Sequence, residues 1–200
     1  MPIVRGWENR ATVYFCVYLL FEYAVKYIVP LMVPKYIMVQ FDVDMDVKKD
    51  RSRSAMRVGK ATDASEELYT SLQRLVPQLG AHKKPPTRDE FAALLASESS
   101  TLLVARDTDA NNKIIGMLSL IIYRVPTGVR SIVEDLVVDK DTRRRGVGEE
   151  LLRYAITLAR EAGADGVALT SNPQREAANQ MYQSLGFEIR QTNPYLYKLK

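Results

Sequence analysis

From residue 56 onward the spacing of apolar and polar positions changes period several times, and each change predicts an element. Residues 55–61 read as a short strand. Asp63 or Ser65 then caps a helix whose apolar positions, Leu68, Leu72, Leu75 and Val76, run up to Gly80. A loop with His82, Lys83, Lys84, Pro85 and Pro86 leads to a second short helix, opened by a capping box of Thr87 and Glu90 and carrying Phe91, Leu94 and Leu95. Strand-like runs follow at 101–106, 114–125 and 131–138, divided by turn residues at 109–112 and at Thr127-Gly128, which predicts an antiparallel meander. Residues 146–162 return to helical spacing, with Leu151, Ala155, Leu158 and Ala162 on one face and Gly163 at the C-terminal end. A buried strand at 166–170, a helix at 177–185 stopped by Gly186, and one or two closing strands within 187–199 complete the pattern.

The first 55 residues are a different kind of sequence. Five of the 11 tyrosines (Tyr14, Tyr18, Tyr23, Tyr27 and Tyr36) stand there, beside Phe15, Phe21 and the only tryptophan, Trp7. Residues 11–34 are mostly apolar and long enough for about 30 Å of helix, but Glu22, Lys26, Pro30 and Pro34 interrupt them. A membrane anchor is therefore the minority reading, and the absence of a small-residue cleavage site argues against a secretory leader. Val39, Phe41, Val43, Met45 and Val47 alternate with polar residues, predicting a half-buried strand before a charged linker at 48–53. The expected organisation is an extension and linker at 1–55 and a folded domain at 56–200. Met38, Met45 and Met56 each offer a later start to the chain.

Composition narrows the function classes. With 46% hydrophobic and 26% charged residues in 200, the chain can bury a sizeable core. Cys16 is the only cysteine and His82 the only histidine, so an internal disulfide is excluded, no metal site is expected, and a cytoplasmic location fits. The net charge of +4, from 28 basic and 24 acidic residues, is no electrostatic footprint for nucleic acid.

The run from Glu134 to Leu152 carries the chemistry. A strand ends in a basic loop, Arg143-Arg144-Arg145-Gly146-Val147-Gly148-Glu149, which opens a helix. Backbone N–H groups at a helix start, together with the helix dipole, favour an anion, and the missing side chains of Gly146 and Gly148 would let a phosphate approach. The bland alternative is a glycine that breaks a strand, beside solvated arginines. No Gly-Lys-Ser/Thr ending and no third glycine of a dinucleotide fingerprint is present.

The loop resembles motif A of the GNAT superfamily of acetyl-CoA-dependent N-acetyltransferases, Gln/Arg-x-x-Gly-x-Gly/Ala, which residues 143–148 satisfy in full. Downstream, residues 179–187 resemble the family's helix ending in Tyr-x-x-x-Gly-Phe, with Ala178 at the usual small position. The resemblance covers about 56–200. It implies a mixed α/β fold: a central, mostly antiparallel twisted sheet of six to seven strands, about four flanking helices, and a V-shaped splay at the cofactor. It also implies that the backbone of 144–149 holds the CoA pyrophosphate, and that Leu136, Val137 and Val138 present strand backbone to the pantetheine and acetyl group. Arg175 and Asn179 become contacts of the pantetheine and adenosine arm. Many members have Asn where this chain has Arg175, which leaves that arm, and any substitution by Asn172, open.

Acetyl transfer needs a neutral amine, a polarised thioester and a proton for the leaving thiolate. Glu134 shares strand parity with Leu136 and Val138 and lies in a Glu-Asp-Leu-Val-Val run resembling that of polyamine-acetylating members, whose Glu helps deprotonate the amine. The alternative is that Glu134 pairs with Arg130 or another base. Tyr182 resembles the family's general acid, its alternative being a hydroxyl that only packs near the sulfur. Asp135 has the opposite parity and reads as structural. His82 reads as solvated, Cys16 as packed, and Tyr195 and Tyr197 either line a cleft or pack across strands. The expected function is direct transfer of acetyl from acetyl-CoA to a primary amine, of a small molecule or a peptide, in a ternary complex. The alternatives are a CoA-binding module without turnover and a membrane-tethered acetyltransferase. A homodimer is left open.

Overall fold

The computed structural model describes residues 55–80 and 82–199. The apolar run at 11–34 and the alternation at 39–47 lie outside them. Five strands form one sheet in the order β1 (Met56–Lys60), β2 (Ser100–Asp107), β3 (Lys113–Val125), β4 (Gly128–Val138) and β5 (Val167–Leu169). All neighbours are antiparallel except β4 and β5, which are parallel. A parallel pair needs a crossover, and α3 (Val147–Glu161) supplies it.

The sheet separates two apolar layers. On one face α3 and α4 (Glu176–Ser184) cover Leu103, Ala105, Ile115, Leu118, Leu120 and Val133, with Leu151, Leu152 and Ala155 of α3 fully buried. Gly116 permits this close approach: a Cβ there would stand 2.9 Å from Val147 Cγ1 and 3.2 Å from Leu151 Cδ1. On the other face α1 (Glu66–Leu75) and α2 (Arg88–Leu95) cover Leu102, Val104, Ile114, Met117 and Val137. Ser65 rather than Asp63 caps α1, accepting from the Leu68 amide, and Glu66 and Glu67 favour its positive end. The Thr87–Glu90 capping box forms as expected. Beyond α1 a 3-10 turn, Val76–Gln78, carries Pro77.

The number of strands differs from the expectation. Among the described residues there are five, because residues 187–199 enter no ladder. Ile189, Tyr195, Leu196, Tyr197 and Leu199 are all more than four-fifths exposed, so neither tyrosine lines a cleft or packs across strands. Alternation makes a strand only when an edge accepts it, and β5 offers one of three residues.

Candidate active site

The parallel ladder pairs Ser131 with Val167, Ile132 with Ala168 and Val133 with Leu169, and there it stops, although β4 continues to Val138. Beyond Leu169 β5 ends and β4 runs on without this partner, leaving a gap where the splay is expected. At its base lies a cleft of about 160 Å³ whose lining includes Glu134, Asp135, Leu136, Thr170, Arg175, Tyr182 and, from the loop after α1, Lys83. Both expected catalytic residues, Glu134 and Tyr182, thus line one cavity. A larger, more open hollow of about 500 Å³ adjoins it, sharing Leu79, Thr170 and Arg175 and bounded by Ser171, Asn172 and Gln174. The Ser171 hydroxyl oxygen is buried without a protein partner.

A bulge corrects the expected parity of Glu134. Ser119 pairs with Glu134 but Met117 pairs with Val137, so two β4 residues, Asp135 and Leu136, stand opposite Leu118 alone. Asp135 takes up the extra residue at φ 50°. Glu134 therefore shares a face with Val137 and Met117, the α1 side, whereas Leu136 and Val138 pack toward α3. Glu134 is exposed. The Arg130 alternative does not form: Arg130 pairs with Asp165 and hydrogen-bonds Thr127 Oγ1 at 3.1 Å.

Tyr182 is buried at 7% exposure, its ring edge-on to Phe187 with centroids 6.0 Å apart. Burial pushes its phenol above the usual tyrosine value, against a smaller opposing effect of the Arg175 charge. The hydroxyl therefore holds its proton throughout the neutral range.

At the open end of the splay, Gly146 begins α3 with φ 79°, a left-handed conformation that suits glycine, and no side chain caps the helix. The first helical bond runs from the Glu150 amide to the Gly146 carbonyl, so the Val147 and Gly148 amides have no acceptor within the helix. A Cβ on Gly146 would meet nothing within 4 Å, whereas one on Gly148 would lie 3.3 Å from Met181 Sδ. Space beside Gly146 is thus open, whereas the bareness of Gly148 serves the packing of α4 against α3.

The arginines divide their roles. Arg145 pairs with the buried carboxylate of Asp107 at 2.8 Å, and Arg143 Nε donates to the Val138 carbonyl at 3.3 Å. Both hold the loop. Arg144, exposed and at φ 63°, faces solvent at the helix start. Glu149 bonds Arg153 one turn on, at 2.8 Å. Asn179 lies outside both cavities' linings and donates to the Asn172 and Pro173 carbonyls at 3.0 and 3.3 Å, stapling the loop after β5, while Arg175 lines both. Val137 is paired in the ladder with its side chain in the α1 core.

Pattern reading missed Lys83, Thr170 and Ser171 as cavity residues, and Asp107 and Asp139 as anchors of the basic loop. The one available signal was position: Thr170 and Ser171 directly follow the short strand at which the splay opens. Among the described residues no cluster of three or more His, Cys, Asp or Glu is arranged to hold a metal, and no helix is long and apolar enough to cross a membrane.

A mostly antiparallel sheet splayed at its one parallel pair, with a helix start and glycine at the mouth, is an acetyltransferase architecture. The chain belongs to the acetyltransferase (GNAT) family, whose family model matches residues 65–187, more than half of its length. It is 32% identical over 107 residues to an uncharacterized N-acetyltransferase, YhdJ, of Bacillus subtilis, covering 53% of this chain and 72% of the relative. It is 34% identical over 110 residues to a probable glucosamine 6-phosphate N-acetyltransferase 2 of Oryza sativa subsp. japonica, covering 50% and 64%. The chain spans from 22% to 72% of the length of the curated relatives it matches. Among solved structures, an aminoglycoside acetyltransferase from an uncultured soil metagenomic sample superposes with a TM-score of 0.64 at 21% identity, over 72% of this chain and 97% of that one.

Proposed function

We propose that this chain transfers the acetyl group of acetyl-CoA to a primary amine by direct attack. The observation that carries the reading is the meeting of two features on one splay: the uncapped start of α3 at its mouth, and Glu134 with Tyr182 in the cleft at its base. The start of α3 supplies amide donors and a positive dipole end for the donor's diphosphate. The exposed Arg144 adds positive charge at the same end.

In the reaction the amine nitrogen attacks the thioester carbonyl, the carbon–sulfur bond breaks as the tetrahedral intermediate collapses, and one proton passes from nitrogen while another reaches sulfur. Glu134, exposed to water in the cleft, takes the amine proton directly or through water. Tyr182, held neutral by burial, gives its proton to the thiolate and recovers one from solvent. The products are the N-acetyl amide and free CoA. The relatives' names supply the first acceptors to try, glucosamine 6-phosphate and aminoglycosides. An amine panel with acetyl-CoA, read by thiol release and by mass of the acetylated amine, tests the reading. Thiol release with at least one amine supports it; CoA binding without acetyl transfer to any amine would mark a binding module.

A further inference from the structure

The basic loop is gripped from outside by the helix on the opposite face of the sheet. Asp139 follows β4 directly, and its side chain is 4% exposed. The Arg74 guanidinium of α1 pairs with Asp139 Oδ2 and donates through Nη2 to the Ile114 carbonyl at 2.6 Å. Lys113 Nζ stands 3.8 Å from the same oxygen. One residue on, the Lys140 amide donates to Gln78 Oε1 at 2.9 Å, and Gln78 Nε2 donates back to the Arg74 carbonyl at 3.3 Å. Thus α1 and its 3-10 turn hold two consecutive residues at the start of the loop, while Asp107 holds Arg145 near its end.

Arg144 lies between these two grips and Gly146 directly after the second; both are left-handed and set how the first amides of α3 are presented. A buried ion pair is weak evidence for net stability, because apolar packing would serve as well. It does fix a backbone. We infer that Arg74 and Gln78 are positioning residues for the donor's diphosphate: they act through Asp139 and Lys140, and through them the first helix sets the affinity of the helix start for CoA. This inference rests on the proposed acetyl-CoA reading.

The test is calorimetric CoA affinity for Arg74→Met, Arg74→Lys and Gln78→Ala, with Arg88→Met as control. Arg88 pairs with Glu66 on the exposed side of α1 and touches nothing in the loop. Arg74→Met should raise the CoA Kd by about tenfold or more, equivalent to about 1.4 kcal/mol. Gln78→Ala should raise it by less, Arg74→Lys should recover part of the loss, and the control should match wild type. The acceptor KM and the turnover at saturating acetyl-CoA should stay within about twofold, a split that general destabilisation does not produce. If Arg74→Met fails to fold, Gln78→Ala and Arg74→Lys decide, since both leave Asp139 a cation from α1. Equal CoA affinity in wild type and these variants overturns the inference and leaves the acetyl-CoA reading standing. A wild-type chain that does not bind CoA overturns both.

Discussion

Glu134 stands opposite Ser119 across the β3–β4 ladder, on the α1 face of the sheet, because the extra residue at Asp135 has reversed the alternation of β4. Without the bulge Glu134 would share the face of Leu136 and Val138, which pack toward α3. The bulge thus turns Glu134 and Leu136 to opposite faces of the sheet.

A base in that position is needed most when the amine is protonated. Glu134→Gln should lower turnover by about 10²-fold near neutrality, with the deficit growing toward low pH and shrinking as raised pH supplies neutral amine. CoA affinity should be unchanged. A pH profile of kcat/KM for wild type and variant decides; parallel profiles would show that Glu134 moves no proton.

Gly146 separates folding from binding. A methyl group there meets open space, so the folding cost is only that of a left-handed alanine, about 1–2 kcal/mol. The same methyl would occupy the mouth through which a phosphate reaches the amides of α3. Gly146→Ala should therefore remain folded, with a modest fall in Tm, yet bind CoA about tenfold or more weakly. Unchanged CoA affinity by calorimetry would falsify the assignment of the diphosphate to this helix start.

Asp139 makes the loop sensitive to acid. Burial alone raises its pKa, but the Arg74 charge, the Asp141 amide, Gln78 and the Lys113 charge together outweigh burial and hold the carboxyl below its ordinary value. A lowered folded value means that the unfolded chain binds the proton more readily. The stabilisation is present above the unfolded pKa of about 3.9 and is lost as pH falls through the folded value. Urea midpoints of wild type and Asp139→Asn should therefore differ clearly at pH 7 and converge in strong acid. A constant gap from pH 7 to pH 3 would mean that the charge on Asp139 does not anchor the loop.

What sequence made legible, and what it hid, follows from the range of each signal. The helix at 147–161 showed in the spacing of Leu151, Ala155 and Leu158, and the glycine at its start announced the open mouth, because both are local. Tyr182 was legible through its distance from Gly186 and Phe187. The bulge was not, since one added residue leaves the apolar character of β4 intact and only the partner strand reveals the shift. Arg74 was equally hidden: on the polar side of an amphipathic helix it reads as solvated, and the carboxylate that engages it lies 65 residues away. The closing strands expected within 187–199 show the opposite error, a local pattern without an edge long enough to receive it.

Tyr182 combines two consequences of burial that can be measured apart. Desolvation raises its phenol pKa and the nearby Arg175 charge only partly opposes it, so the phenol keeps its proton through the neutral range. Removing the hydroxyl while keeping the ring should preserve the edge-on contact with Phe187 and hence the packing of α4. Tyr182→Phe should therefore bind CoA normally while turnover falls by about 10²-fold, the lower end for a general acid because a thiolate leaves fairly easily. Unlike Glu134→Gln, it should not be rescued by raising the pH toward 9, since the missing proton is delivered late, to sulfur. The sign for stability is also fixed. A raised folded pKa means that the folded chain keeps a proton the unfolded chain gives up, so the contribution is complete below about pH 10 and is lost as pH rises above it. The variant, with no phenol at this position, should lose less stability between pH 9 and 11 than wild type. Normal turnover in Tyr182→Phe with the true acceptor would mean that water, reaching the cleft from the open hollow beside Thr170 and Arg175, protonates the leaving thiolate instead.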